Sequence, residues 1–281
     1  MSGDVTAFVP AHITGFFSVH RTAEPATTGS RGAGLTLSDG IQTTVSSSDR
    51  SSVSLDGEAV SIEAVERVLN AVGVSATVSC HTEVPVGAGF GVSGGAALGT
   101  ALAANELFQA GYTERELVSI AHVAEVQAGS GLGDVVAQAR GGLPLRLEPG
   151  APPHCRLDGV VGGGPIEYLT FGERSTADVI GGETAALSRA GEDALEAVRQ
   201  TPSKATLVER ARQFGEEAGL LSAKVETVLA DVSASGGSAA MAMLGDTVFA
   251  LDSGLSDAGY DPERTQISAS RATVVPAPPR M

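Results

Sequence analysis

Pro85-Val-Gly-Ala-Gly-Phe-Gly-Val-Ser93-Gly-Gly-Ala-Ala97 places five glycines in thirteen residues between two segments of different period. Before it, Val74, Ala76, Val78 and Cys80 alternate, the two-residue period of a half-buried strand over 74–84. After it, small and apolar residues run from Ser93 to about Ala110 and read as a long helix. The segment is therefore a strand, a glycine turn and a helix start. A helix N-terminus leaves four backbone N–H groups unpaired and carries about half a positive charge. Glycines ahead of it let a polyphosphate reach the backbone with no Cβ in the way. Gly94, Gly95 and Ala96 are the expected N–H donors, and the Ser93 hydroxyl can reach a phosphate or its metal. A serine N-cap after a tight turn explains Ser93 alone, but not the small residues on both sides of it.

Three kinds of phosphate site compete for this reading. A Walker loop needs G-K-[ST], and the only lysines are Lys204 and Lys224, far downstream. A dinucleotide fingerprint is formally present as Gly89-x-Gly91-x-x-Gly94. Its ribose-binding acid is expected about 20 positions on, at the end of a second strand. Here the chain is still helical around Glu106, Glu114 and Glu116. The third is a kinase loop, taken up below.

Upstream, 5–9 alternates as a strand, and 35–45 reads as a hairpin around Asp39-Gly40. A strand at 51–55 ends at Asp56-Gly57. Ser61 opens a helix with Ile62, Val65, Val68 and Leu69 on one face, stopped by Gly73. Downstream, Thr113-x-x-Glu116 is a capping box for a helix reaching about Ala128. Asp134 opens a short helix ended by Gly141-Gly142, with a strand at 143–147. The Pro/Gly/Ala loop at 149–153 is the expected domain boundary. Beyond it come a strand at 166–171, helices near 183–200, 203–219 and 222–232, and strands at 239–244 and 247–251. The tail from Val274 reads as loose. The fold class is α/β (α+β), with Met241 and Met243 as core-strand residues.

The 85–97 segment resembles the P-x-x-x-G-[LF]-G-x-S-x-x-A loop of the GHMP kinases, the superfamily of galactokinase, homoserine kinase and mevalonate kinase. Phe8-Val-Pro-Ala-His12-Ile-Thr-Gly-Phe-Phe resembles their first motif, and Ser233-Ala-Ser-Gly-Gly-Ser-Ala-Ala-Met-Ala242 their glycine-rich third. Order and spacing match over about 5–252. Within the superfamily the chain is most similar to the archaeal branch that phosphorylates pantoate. That likeness rests on His12-Ile-Thr-Gly-Phe-Phe, Gly29-Ser-Arg-Gly-Ala-Gly34 and Ala124-Glu-Val-Gln-Ala-Gly-Ser-Gly-Leu-Gly-Asp134. The resemblance implies a two-lobed fold. Its N-terminal lobe, over 1–150, is ribosomal-S5-domain-2-like and binds ATP. Its C-terminal lobe, over 151–281, is ferredoxin-like. The implied reaction is ATP-dependent phosphorylation of the primary hydroxyl of pantoate to 4-phosphopantoate, on the archaeal route to coenzyme A.

The same resemblance implies roles for residues. Pro85, Gly87, Gly89, Gly91, Ser93, Gly94, Gly95 and Ala96 would cradle ATP. Ser93 and Glu125 would hold Mg2+, which favours hard oxygen ligands. Glu125 shares a helix face with His122 and Val118 that is expected to turn out of the core. Asp134 falls at the superfamily's catalytic aspartate, although an ordinary aspartate N-cap also explains it. His12 stands at the motif-one lysine position, so charge at the γ-phosphate must come from metal, arginine or the helix terminus. A pantoate carboxylate needs a cation, and Arg31 is the first candidate for a bidentate grip, with Ser30 adding a hydrogen bond. Arg21, His20 and Arg140 stand behind it. Another GHMP kinase acting on homoserine or mevalonate, a nucleotide-binding regulator without turnover, and a dinucleotide-dependent oxidoreductase remain the alternatives.

Composition narrows the field further. The 281 residues carry 33 acidic and 18 basic side chains, a net charge of −15. Phosphate backbones and anionic membranes both want a basic surface, so neither nucleic acid nor membrane is the expected partner. The acid-rich, lysine-poor composition reads as adaptation to high salt or as the bias of a GC-rich genome. Cys80 and Cys155 fit neither a disulfide framework nor a metal site, and His81 and His154 have no partner at ligand spacing. The start has no secretory pattern and no apolar run is long enough to span a membrane, so a cytoplasmic enzyme is expected, with a homodimer as the default assembly.

Overall fold

β1 (Asp4–His20) and β2 (Gly29–Ser47) pair antiparallel along nearly their whole length, from Asp4 opposite Ser46 to His20 opposite Gly29. The structure, a computed structural model, describes residues 3–172, 184–243 and 245–276. The other edge of β2 is shared among three partners in turn. Gly32 and Ala33 face β6 (Leu143–Glu148), Leu37 faces β11 (Glu263–Ile267), and Ile41 to Ser47 face β5 (Ala76–Thr82). That single Leu37–Ile267 pairing joins two sheets. One continues from β5 through β3 (Ser52–Leu55) to β4 (Glu58–Ala59). The other runs β11, β8 (Gly164–Gly172), β10 (Asp246–Leu251), β9 (Ala239–Ala242), all antiparallel. These are the sheets of two lobes.

Several expectations are corrected here. The 35–45 hairpin does not form. Asp39-Gly40 lies instead at a register shift, where three residues of β2 bulge opposite Ala11, and the strand runs on. A turn signal loses to β1, which offers a partner on both sides of it. The first strand extends past Val9 to His20, because β2 supplies a ladder that long. The tail begins ordered: β12 (Thr273–Val274) pairs with Phe8 and Ala7, and Val275 N–H donates to Thr6. Residues 277–281 lie outside the described residues, as do residue 183 of the first expected C-terminal helix and Leu244 of the 239–244 strand. The strands β7 (Arg156–Val160) and β11 are additions to the sequence reading.

Four helices cover the N-terminal sheet: α1 (Glu63–Val72), α2 (Val92–Phe108), α3 (Glu114–Ala128) and α4 (Asp134–Arg140). α2 is apolar on every side and lies central, as a helix without a polar face must. Its small residues let it lie close on β2. A Cβ at Gly95 would sit 2.6 Å from Ile41 Cδ1, and one at Gly99 2.6 Å from Thr43 Oγ1. α3 starts with the expected capping box, Thr113 and Glu116 bonding reciprocally. In the C-terminal lobe α5 (Ala185–Gln200), α6 (Lys204–Glu217) and α7 (Ala223–Ala234) pack on the four-stranded sheet and on β1. Among the described residues no helix is long and apolar enough to cross a membrane.

Candidate active site

The turn between β5 and α2 places glycines at alternate positions with positive φ: Gly87 at 71°, Gly89 at 91° and Gly91 at 66°. Side chains rarely adopt that region. Space also forbids them here, since a Cβ at Gly89 would lie 2.9 Å from the Met243 carbonyl. Gly91 is the N-cap of α2, so the helix begins at Val92, one residue before the expected Ser93. This shifts the free donors. Gly95 N–H already closes the first helical turn onto Gly91 O at 2.9 Å. The unpaired amides of the first turn therefore belong to Val92, Ser93 and Gly94, not to Gly95 and Ala96. Ser93 is not an N-cap, and its hydroxyl donates to Glu125 Oε2 at 3.3 Å.

A cavity of about 520 Å³ opens against this turn. Gly87, Gly89, Gly91, Ser93, Ser130 and Asp134 all line it. Leu55, Val60, Ile62 and Val86 give it an apolar wall at the side of α1 and the β3–β4 hairpin. Ser93 and Asp134, 41 positions apart, thus face one space, as the sequence reading expects. Pro85, Gly94, Gly95, Ala96 and Glu125 stand behind the lining.

The Glu125 expectation needs correction. The helix face it shares with Val118 and His122 is the buried one; the three are 2%, 6% and 1% exposed. Glu125 is held by two hydroxyls, Ser130 Oγ at 2.8 Å and Ser93 Oγ at 3.3 Å. Burial pushes its carboxyl up to about 7, against the pull of Ser130, with the Asp134 charge adding to the rise. A buried carboxylate held only by hydroxyls suits a divalent cation. Among the described residues no three carboxylates, histidines or cysteines cluster around a common point. An ion here would take one carboxylate and one hydroxyl from the protein and the rest from phosphate and water, the ligand set Mg2+ favours. The residues fit that ion.

Asp134 is the first residue of α4, not its N-cap, which is Gly133. Its Oδ1 lies 2.7 Å from His12 Nδ1. A carboxylate only accepts, so Nδ1 carries the proton. Burial holds His12 below the usual histidine range, outweighing the Asp134 hydrogen bond, so the ring is neutral. Burial works against the Asp134 charge, but the His12 hydrogen bond and the Arg146 charge outweigh it and hold the carboxyl low. A side chain at Gly34 would collide with His12 Nε2, which has no hydrogen-bond partner among the described residues.

Arg146 is a buried cation near Asp134 that the sequence reading passes over. It lies on β6, 1% exposed, with Nε and Nη1 making no hydrogen bond to the described residues. A Cβ at Gly133, next to Asp134, would lie 2.7 Å from its Nε. Burial lowers its pKa to about 10, with Asp134 opposing, so it stays charged at neutral pH. One arginine inside the apolar run Leu143-Pro-Leu-Arg-Leu147 is the signal that marks it. Arg31 lies elsewhere. It is paired with Glu192 on α5 and donates to Leu147 O at 2.9 Å, in a cluster with Ser18 and His20. Neither Arg31 nor Arg146 is among the residues that line the cavity; Arg146 stands behind Asp134.

A family model for the N-terminal domain of GHMP kinases matches residues 59–142. A pantoate kinase from Methanospirillum hungatei JF-1 is 33% identical over 262 residues, 88% of this chain and 87% of that protein. One from Methanocaldococcus jannaschii is 31% identical over 251 residues, 87% of this chain and 91% of that protein. A solved structure of a phosphotransferase related to the CoA biosynthesis pathway superposes with a TM-score of 0.87 at 30% identity, over 97% of this chain and 99% of the other.

Proposed function

This chain belongs to the pantoate kinases of the GHMP kinase family, and on that premise we propose that it transfers the γ-phosphoryl group of ATP to the primary hydroxyl of pantoate, making 4-phosphopantoate for coenzyme A synthesis. The observation that carries the reading is the shared cavity: the glycine turn of α2 on one wall and Asp134, fixed by His12, on another.

Phosphoryl transfer asks a protein mainly to position groups and to neutralise charge. The free amides of Val92, Ser93 and Gly94 are the donors for the phosphates. Ser93 and Glu125 are the residues that hold Mg2+, which when bound offsets the charge of the phosphate oxygens. Asp134 has Oδ1 occupied by His12, leaving Oδ2 to take the acceptor hydroxyl. Its low pKa makes it a poor base, so it orients the hydroxyl and takes the proton late, as bond formation makes that hydroxyl acidic. Neutral His12 contributes a directed N–H in place of the motif-one lysine's charge.

Arg146, in place of Arg31, is the cation assigned to the pantoate carboxylate. A buried guanidinium with two unused donors and one anionic neighbour is suited to a second anion. Arg31 already has Glu192.

ATP consumption with pantoate, homoserine, mevalonate or no acceptor, measured in molar KCl, tests the reading. Turnover with pantoate alone is expected. Turnover with several acceptors would make it another GHMP kinase, and none would make it a nucleotide binder. In the same assay Arg146→Met should raise the pantoate KM about 100-fold, the order of a lost charged hydrogen-bond pair, while leaving the ATP KM within twofold.

A further inference from the structure

Gln138 lies one turn after Asp134 on α4 and is wholly buried. Its side-chain Nε2 donates to the carbonyl of Gly91 at 3.0 Å. That carbonyl also accepts from Gly95 N–H, so both of its lone pairs are used. Gly91 is the left-handed residue from which α2, with its free amides, sets out. A Cβ placed on Gly91 would lie 3.3 Å from Asp134 Cβ, from Asp134 Oδ1 and from Gln138 Nε2 alike. The phosphate turn, the catalytic aspartate and the glutamine amide therefore meet at one backbone atom.

The rest of the amide is held without a second bond. Gln138 Oε1 is buried and has no hydrogen-bond partner among the described residues. It lies over the glycine pair of α2: a Cβ at Gly94 would be 3.3 Å from Oε1, and one at Gly95 3.2 Å from Nε2. A methionine of similar length would fill this space with no unpaired acceptor. The amide is thus a poor choice for packing alone, and the work it does is the one hydrogen bond to Gly91.

We propose that Gln138 is a positioning residue: its amide ties the phosphate turn of α2 to the helix that carries Asp134 and so sets the separation between donor phosphate and acceptor hydroxyl. This rests on the kinase reading above and adds a residue to it. An in-line transfer is sensitive to that separation, and a displacement of about 1 Å can cost roughly 100-fold in rate. Nothing bound is lost when the tie is cut, since Gln138 lines neither the cavity nor the metal ligands.

Gln138→Met is the test, read as kcat, both KM values, melting temperature and ADP formed per phosphopantoate. The tie predicts kcat down about 10- to 100-fold, both KM values within twofold, an unchanged or higher melting temperature, and more than one ADP released per phosphopantoate. Unchanged kcat and coupling would overturn the proposal. So would a fall in kcat that follows a lower melting temperature with coupling intact, since that is a packing effect. If the methionine variant fails to fold, Gln138→Asn keeps the amide but withdraws it by one methylene, and the same pattern is expected. Wild-type enzyme that turns over no pantoate would instead remove the reading beneath it.

Discussion

The loop at 87–93 and Asp134, backed by buried His12 and Arg146, are two walls of one cavity, made in opposite ways. In the loop the working atoms are backbone amides of contiguous residues, and glycine geometry delivers them whatever the rest of the fold does. In the cluster they are side chains from β1, α4 and β6, and His12 and Asp134 are 122 residues apart. The loop's design is local and tolerates its surroundings. The cluster depends on its surroundings: burial keeps His12 a neutral donor, and the His12 hydrogen bond with the Arg146 charge holds the Asp134 carboxyl low against burial. On the proposed reading the backbone atoms would bind phosphate, and the buried side chains would set the charge state for the reaction.

That contrast breaks most visibly at Asp134. Asp134→Asn should keep the melting temperature and lower kcat by about 100- to 10,000-fold, the range for losing a positioned acid–base group. A rate within tenfold of wild type would mean that the loop alone carries the reaction. Gly91→Ala attacks the seam between the halves, where a left-handed φ and the 3.3 Å approach to Asp134 coincide. It should cost about 1–2 kcal/mol of stability and lower kcat/KM for ATP about tenfold. A rise in ATP KM with kcat untouched would show that the two walls are independent.

A third expected effect is a pH dependence seated on Glu125. The folded chain keeps its proton up to about 7, whereas the unfolded chain releases it near 4.5. Metal-free stability should therefore fall as pH rises from about 4.5 to about 7, by on the order of 3 kcal/mol. Calorimetry across that window checks it. Glu125→Gln should flatten this slope and lose Mg2+ dependence, and added Mg2+ at pH 8 should restore stability to the wild type alone.

Legibility followed the same division. The strand–turn–helix at 74–110, the capping box at Thr113 and the placement of Asp134 at a helix start were all readable, because each is a short-range pattern. The readings that failed were those in which a distant segment outbid a local one. Asp39-Gly40 signals a turn, yet β1 lies beside it and the strand continues. Glu125 was expected to face out, but the Ser93 and Ser130 hydroxyls hold it inside. The helix starts at Val92, one residue before the expected Ser93, because Gly91 takes the capping position, and the free amides move with it. Gln138 stands in an ordinary helix context that carries no motif, and the one signal of Arg146 is a lone arginine in an apolar strand.

From its residues alone this chain fixes a glycine turn that must present amides, most of the helices and strands around it, and a net charge of −15. Hydrogen-bonding capacity and backbone freedom are properties of adjacent residues, and they survive any folding context. The tertiary structure alone decides which arginine is buried near Asp134, which carboxylate is charged, and how far the two walls stand apart. Those follow from burial and from through-space neighbours, because the energy of a charge depends on the medium and on the partners the fold brings to it.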